Sequence, residues 1–306
     1  MAVTRPDTLR RRIREGPPLL LDAAMGTELE RRGAAGALPL WSAAALLAAP
    51  RTMFDIHASD SAAGADILTA NTFRTHRRSL AKAGLGDQSE LLTWRAVSLV
   101  REAADISSVP PFVVGSLSPL EDCYRPDLVP GDADLDREHG LQAAALAAAE
   151  VDGILLETHN TVRELAAAAR AALATGLPVI ASMVTDGAGR LLSGEPIGDA
   201  ARVLVELGPD ALAINCVPAG LLEGDLAILA AAAPGVPLGA YGNVGQPRGD
   251  GAPSERPGPD EYGEYASRWV SAGARIVGGC CGTGTAYTAK LRELLGPVRA
   301  EQTLTR

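Results

Sequence analysis

Eight short runs that are apolar throughout, each followed by a stretch of helical period, constrain this chain more than any other feature. The runs lie at residues 19–22, 67–71, 112–115, 153–157, 179–183, 211–215, 238–241 and 275–279. A strand with one wet face alternates apolar and polar side chains, whereas a strand covered on both faces does not. Uniformly apolar strands therefore predict a parallel sheet clothed by helices. Residues 91–104, 135–150, 162–174, 199–207, 222–232, 261–272 and 285–295 carry the helical period, and a less regular helical stretch falls between 41 and 63. Gly and Pro stand where such helices must stop, as in Ala174-Thr-Gly-Leu-Pro178.

Eight β/α units in roughly 280 residues predict a (β/α)8 TIM barrel, whose usual size is about 250 residues. The expectation is α/β class, with residues 1–306 as one barrel domain, a core at about 17–296 and short tails. The rival, a doubly wound open sheet, calls for a glycine-rich dinucleotide turn after the first strand, and none follows there. Long Gly/Pro-rich connections occupy 116–134, 185–198 and 242–260, after the third, fifth and seventh strands. Barrel chemistry sits at the C-terminal ends of the strands, so these loops are expected to be functional.

Composition narrows the function classes. With 28 Lys+Arg against 37 Asp+Glu the formal charge is −9, which argues against nucleic-acid and anionic-membrane partners. Aromatics at 4% leave little for stacking bases, and 47% hydrophobic content excludes disorder. The basic start lacks an apolar signal core, and the uncharged run 226–247 is broken by three prolines and four glycines. The reading is a cytoplasmic protein, with Arg10-Arg-Arg-Ile-Arg14 as a solvated leader helix. The apolar stretch 38–50 reads as interface or as core, so the oligomeric state stays open.

The sharpest chemical feature is Asn215-Cys216 at the end of the sixth run and Gly278-Gly-Cys-Cys-Gly282 at the end of the eighth. Alternate barrel strands point into the same layer, so Cys216, Cys280 and Cys281 can meet over the mouth. Three thiolates suit a soft or borderline divalent metal, above all zinc, with a fourth position open. Two plainer readings stand beside it: buried structural cysteines, and a vicinal Cys280–Cys281 disulfide, which is strained and disfavoured in a reducing compartment. Cys123 reads as incidental. His57, His76, His139 and His159 show no mutual ligand spacing.

With these residues the chain resembles the homocysteine S-methyltransferase family over residues 19–295. The resemblance rests on Leu21-Asp-Ala-Ala-Met-Gly-Thr-Glu-Leu29, Ala63-Gly-Ala-Asp-Ile-Leu-Thr-Ala-Asn-Thr-Phe73, Gly115-Ser-Leu-Ser-Pro119 and Leu155-Leu-Glu-Thr158. It continues in Ile214-Asn-Cys-Val-Pro218, Gly242-Asn-Val-Gly245 and Gly278-Gly-Cys-Cys-Gly-Thr283. It implies a zinc-dependent enzyme in which Cys216, Cys280 and Cys281 hold Zn2+ and the homocysteine thiol takes the open position. It also implies that Glu157 binds the substrate α-amino group, that Asp22 and the backbone near Ala23 line the amino-acid pocket, that Thr72 contacts substrate, and that Asn243 closes over the metal. The expected partners are a small thiol acceptor and a small cationic methyl donor that contacts the loops after strands three and seven. S-methylmethionine or S-adenosylmethionine stands first, then betaine, then a corrinoid partner protein.

Two departures stand beside the expected substrate. The family commonly has Asp-Gly-Gly where this chain has Asp22-Ala-Ala24, and Pro-Asn where it has Gly242-Asn243. They leave room for another thiol or a selenol as acceptor. Other classes weighed from the residues are a carboxylate-using barrel lyase or hydrolase and a non-catalytic zinc-binding barrel.

Overall fold

A computed structural model of the chain describes residues 3–245 and 256–297. Its one sheet has eight parallel strands: β1 Leu19–Leu20, β2 Ile67–Ala70, β3 Phe112–Leu117, β4 Gly153–His159, β5 Val179–Met183, β6 Ala211–Pro218, β7 Leu238–Asn243 and β8 Ala274–Gly279. The spatial order β1-β8-β7-β6-β5-β4-β3-β2 is that of neighbours wound in sequence. The ring closes where Asp66 N–H bonds Leu20 O at 2.7 Å and Asp22 N–H bonds Ile67 O at 3.0 Å. The result is the (β/α)8 barrel expected from the eight repeats. Among the described residues no helix is long and apolar enough to cross a membrane.

A device repeated at alternate strands seals the closed end of the barrel. Asp66, Asp152 and Asp210 stand just before β2, β4 and β6, and each accepts a backbone N–H where the preceding strand starts. The partners are Leu20 at 2.8 Å, Val113 at 2.7 Å and Val179 at 3.1 Å. Each carboxylate is buried and meets an arginine: Arg292 for Asp66, Arg5 and Arg101 for Asp152, Arg10 and Arg14 for Asp210. A buried charge is tolerated when paired and hydrogen-bonded in this way.

Those partners correct one expectation. The basic segment is a helix as expected, Arg5–Glu15, begun by a capping box between Thr4 and Asp7, but it is docked on the barrel and not solvated. Leu9 and Ile13, one helical turn apart on the same face, are completely buried. They join the interior cluster of Leu19, Ile67, Phe112, Leu155, Ile180, Ala211 and Ile276. The helix plugs the bottom of the barrel, and its arginines reach two of the sealing aspartates, Asp152 and Asp210.

Side chains inside the barrel change character along the strands. The lower layers are apolar, as above, whereas Asp22, Thr69, Ser116, Glu157, Ser182 and Asn215 make polar contacts with one another near the C-terminal ends. The irregular stretch 41–63 is a 3-10 turn at Trp41–Ala43 followed by the helices Ala44–Ala48 and Pro50–Ala62. Pro50 cannot donate a backbone hydrogen bond and starts the second of these helices. Four strands run past their expected ends, β3 to Leu117, β4 to His159, β6 to Pro218 and β7 to Asn243. The extensions of β4 and β6 contain bulges, and both re-aim side chains at the mouth.

Candidate active site

In β6 the pairing steps from Asn215↔Tyr241 to Pro218↔Asn243, so one extra residue is inserted, and Cys216 takes a φ of 59°. A bulge of this kind turns a strand-end side chain out of the regular alternation. Cys280 and Cys281 lie just beyond β8, tied to β7 by Cys280 N–H to Gly242 O at 2.9 Å and Val244 N–H to Cys281 O at 3.0 Å. Gly282 closes the turn at φ +85°, where an added Cβ would stand 2.2 Å from Val244 O, so no other residue fits there.

The three sulfurs lie within 4.8 Å of one another, with Cys216 Sγ 3.6 Å from Cys281 Sγ. Tetrahedral metal–thiolate bonds of about 2.3 Å place sulfurs about 3.8 Å apart. The cluster therefore has the donors and the spacing for a metal ion. Its titration is coupled: hydrogen bonds from Cys280 and Cys281 hold the Cys216 thiolate low, and the other two thiols are pushed up. Tyr124 Oη stands 2.9 Å from Cys216 Sγ, and Asn215 Nδ2 stands 3.8 Å from Cys280 Sγ.

The wall made by β4 carries the carboxylate. Pairing of β4 with β5 skips between Leu156 and His159, and Thr158 within the skip has a φ of 62°. Glu157 accepts a hydrogen bond from Ser116 Oγ at 2.5 Å. Burial raises Glu157 to about 7 against that bond, with the nearby Cys216 charge adding to the rise. Asp22, on the chain leaving β1, accepts Thr69 N–H at 2.8 Å and Thr69 Oγ1–H at 2.9 Å. Burial, then Asp60, and then the two Thr69 bonds acting downward, leave its carboxyl raised.

These groups share one cavity of about 430 Å³ at the mouth. Of the residues expected from sequence, Asp22, Ala23, Glu157, Cys216, Cys280 and Cys281 line it. Thr72 and Asn243 are not brought to that wall. Thr72 is buried with its hydroxyl donating to Ser116 O at 2.7 Å, because the chain turns tightly after β2 and points it at β3. Asn243 lies beneath the sulfurs, near enough to Cys216 to favour its thiolate, yet neither side-chain polar atom finds a well-formed hydrogen bond among the described residues.

The loops divide differently from expectation. The loop after β3 supplies Cys123 and Tyr124 to the cavity, so Cys123 is a wall residue, although it stands outside the three-sulfur group. The loop after β5 folds on itself through bridges Thr185↔Leu191 and Arg190↔Pro196 and contributes nothing to the lining. Most of the third long loop, residues 246–255, lies outside the described residues. The outer wall instead comes from the first and second βα connections, through Leu38, Trp41, Phe73 and Arg74. Their signal in sequence was only that they follow strands; two aromatics 32 positions apart do not announce that their rings meet edge to face at 6.5 Å.

The family pattern described as homocysteine S-methyltransferase matches residues 19–295. The chain belongs to that family. It is a thiol methyltransferase by membership, and two homocysteine S-methyltransferases that it resembles are of similar length. Homocysteine S-methyltransferase of Escherichia coli is 31% identical, with 90% of this chain and 94% of that protein covered. Homocysteine S-methyltransferase 4 of Zea mays is 28% identical, over 91% and 90%. The crystal structure of the homocysteine methyltransferase MmuM from E. coli in its metallated form superposes with a TM-score of 0.81 at 29% identity, over 93% of this chain and 99% of that one.

Within the family the two departures acquire a structural account. Neither Ala23 nor Ala24 has a positive φ, so alanine fits the backbone there, and the Ala23 side chain narrows the cavity beside Asp22. Gly242 N–H donates to Tyr262 Oη at 3.0 Å, a bond that a proline at this position could not make. Tyr262 Oη also lies 2.9 Å from Gly242 O and 2.8 Å from Gly278 O, and so ties β7 to β8 under the cysteines.

Proposed function

We propose that this protein transfers a methyl group from a small cationic donor to the metal-held thiolate of homocysteine, giving methionine, with zinc as the metal. The observation that carries the reading is the meeting of Cys216, Cys280 and Cys281 with Glu157 in one cavity. A thiolate cluster selects a borderline metal and a thiol, and a buried carboxylate selects an ammonium group. Neither alone requires an amino-acid thiol; together they do.

Bound by the three cysteines, zinc would keep the acceptor sulfur deprotonated at neutral pH, where a free thiol is mostly protonated. Glu157, oriented by Ser116, pairs with the α-ammonium group, and Asp22, held by Thr69, lines the same pocket. Tyr124 donates a hydrogen bond to Cys216 and tempers the charge on that sulfur. Trp41 and Phe73 line the cavity and supply aromatic rings of the kind that attract an onium cation. The new bond forms between acceptor sulfur and methyl carbon as the methyl bond to the donor sulfur or nitrogen breaks, and that bonding pair leaves on the donor heteroatom. Attack by an anion on a cation cancels charge, so a water-poor cavity favours the step.

S-methylmethionine or S-adenosylmethionine is the favoured donor, betaine the next, and a corrinoid partner protein the remaining arrangement. A second reading, another small thiol or a selenol as acceptor, is favoured by the alanine at position 23 where the family commonly has glycine. Four cysteines without a disulfide among the described residues suit a reducing cytoplasm. The test is methionine formation from homocysteine across a donor panel, with and without a chelator. Methionine from a sulfonium donor, lost on chelation and restored by zinc, is expected. Product formation indifferent to the chelator, or no product from any donor, would overturn the reading.

A further inference from the structure

Four cations follow β2 within nine residues: Arg74, Arg77, Arg78 and Lys82. Three are matched to carboxylates. Arg77 meets Asp87 at 2.9 Å, Arg78 meets Glu138 at 2.7 Å, and Lys82 meets Glu121. Arg74 meets none among the described residues, although it is only 7% exposed. Its Nη1 reaches the carbonyl of Glu121 at 3.5 Å, at the limit of a hydrogen bond, and its Nε has no acceptor. A guanidinium carries five donors, and burying it without an anion is costly. The side chain lines the cavity, with its Cζ over the Phe73 ring at 5.4 Å.

Arg74 and Glu157 line that cavity from different elements: Glu157 belongs to the β4 wall and is bonded to Ser116 of β3, whereas Arg74 follows β2, lies over Phe73 and reaches the carbonyl of Glu121. In an amino acid the ammonium and carboxylate share one carbon, so an acceptor anchored at Glu157 keeps its own carboxylate on that side. Arg74 lies instead with Trp41 and Phe73, the rings suited to an onium group. We infer that Arg74 binds the carboxylate of a zwitterionic methyl donor, whose onium carbon is thereby held between the two rings and the acceptor sulfur. This rests on the methyl-transfer reading above and narrows its donors to onium compounds bearing a carboxylate.

The test compares S-methylmethionine with (3-aminopropyl)dimethylsulfonium, the same sulfonium without its carboxylate. Removing a charge-assisted hydrogen bond from a desolvated pocket costs about tenfold or more. The wild-type kcat/KM should favour the carboxylated donor by at least about that factor, and Arg74→Gln should collapse the preference toward one, with Arg74→Lys intermediate. Calorimetry of both sulfoniums on the metal-free protein should show the same order without turnover. An equal preference in wild type and Arg74→Gln overturns the inference; should the variant not fold, absence of any preference in the wild type does so. A parallel arm sets homocysteine against 3-mercaptopropylamine, and a loss confined to that arm assigns Arg74 to the acceptor and overturns the donor assignment. Wild-type protein that methylates no thiol from any onium donor defeats the methyl-transfer reading instead, while the calorimetric order still reports on Arg74.

Discussion

The side-chain amide of Asn215 grips Thr158 twice: Oδ1 accepts the Thr158 N–H at 3.0 Å, and Nδ2 donates to Thr158 Oγ1 at 2.9 Å. Thr158 is β-branched and held at φ 62°, a conformation that costs of order 1–3 kcal/mol and persists only when its surroundings impose it. Asn215 imposes it, and Ser182 Oγ, donating to the same Oδ1 at 2.7 Å, fixes the amide in turn. Through this contact the bulge that aims Glu157 is locked to the bulge that aims Cys216.

Asn215→Ala should therefore loosen both sides of the site at once. Two buried donors, Thr158 N–H and Ser182 Oγ–H, lose their acceptor, for an expected loss of about 2–4 kcal/mol. Urea denaturation measures this as a lower midpoint at unchanged slope. A positioning role further predicts that KM for the amino-acid acceptor rises more than kcat falls. A midpoint drop with unaltered KM would mark the residue as structural only.

Serine substitution at Cys216, Cys280 or Cys281 should each abolish tight metal binding, because two thiolates do not complete the site. Elemental analysis after dialysis is expected to give about one equivalent in wild type and little in any variant. Cys123→Ser should retain the metal, since that sulfur stands outside the cluster. Retention of a full equivalent in the triple serine variant would place the metal elsewhere.

Glu157 predicts opposite pH trends for binding and for stability. Its folded value near 7 exceeds the usual 4.5, so between these pH values the folded protein holds a proton that the unfolded chain releases. Stability of the ligand-free protein from this group is greatest below about pH 4.5 and falls as pH rises through 7, by up to about 3 kcal/mol. Glu157→Gln should remove that slope and be the more stable protein at pH 8. An ammonium-bearing ligand needs the ionised form, so amino-acid affinity should rise as pH increases through 7 in wild type and stay flat in Glu157→Gln. Calorimetry from pH 5.5 to 8.5, beside thermal melts, reads both trends.

The plug helix should matter for stability and not for chemistry. Leu9 is fully buried under the barrel, and Leu9→Ala is expected to cost about 2–5 kcal/mol with metal content retained. A solvated leader would show no change in the denaturation midpoint.

Much of the fold is legible in the sequence because burial on both faces writes itself into each strand. The runs ending near Glu157 and Asn215 could only be covered parallel strands, and eight of them with helices between leave a barrel as the consistent closure. The three cysteines were readable for a related reason: their chemistry is rare, and alternate strands of a barrel share a layer. The docking of the plug helix was missed because Arg10-Arg-Arg-Ile-Arg14 looks wet until Asp210, far along the chain, supplies the counter-charge for Arg10 and Arg14. Thr72 follows a family pattern, yet its hydroxyl faces the β3 backbone because of a local turn that no periodicity encodes.

What the sequence by itself determined was the layer architecture and which three thiols could serve a metal, since hydrophobic period and thiol chemistry are properties of single segments. Only the tertiary structure decided which groups share the cavity. The bulges at Cys216 and Thr158, the Asn215 clamp between them, the crossing of Trp41 with Phe73 and the unpaired charge of Arg74 each depend on contacts between distant segments. Such contacts arise from strand register and ring closure, which act on the chain as a whole and leave no mark at either residue alone.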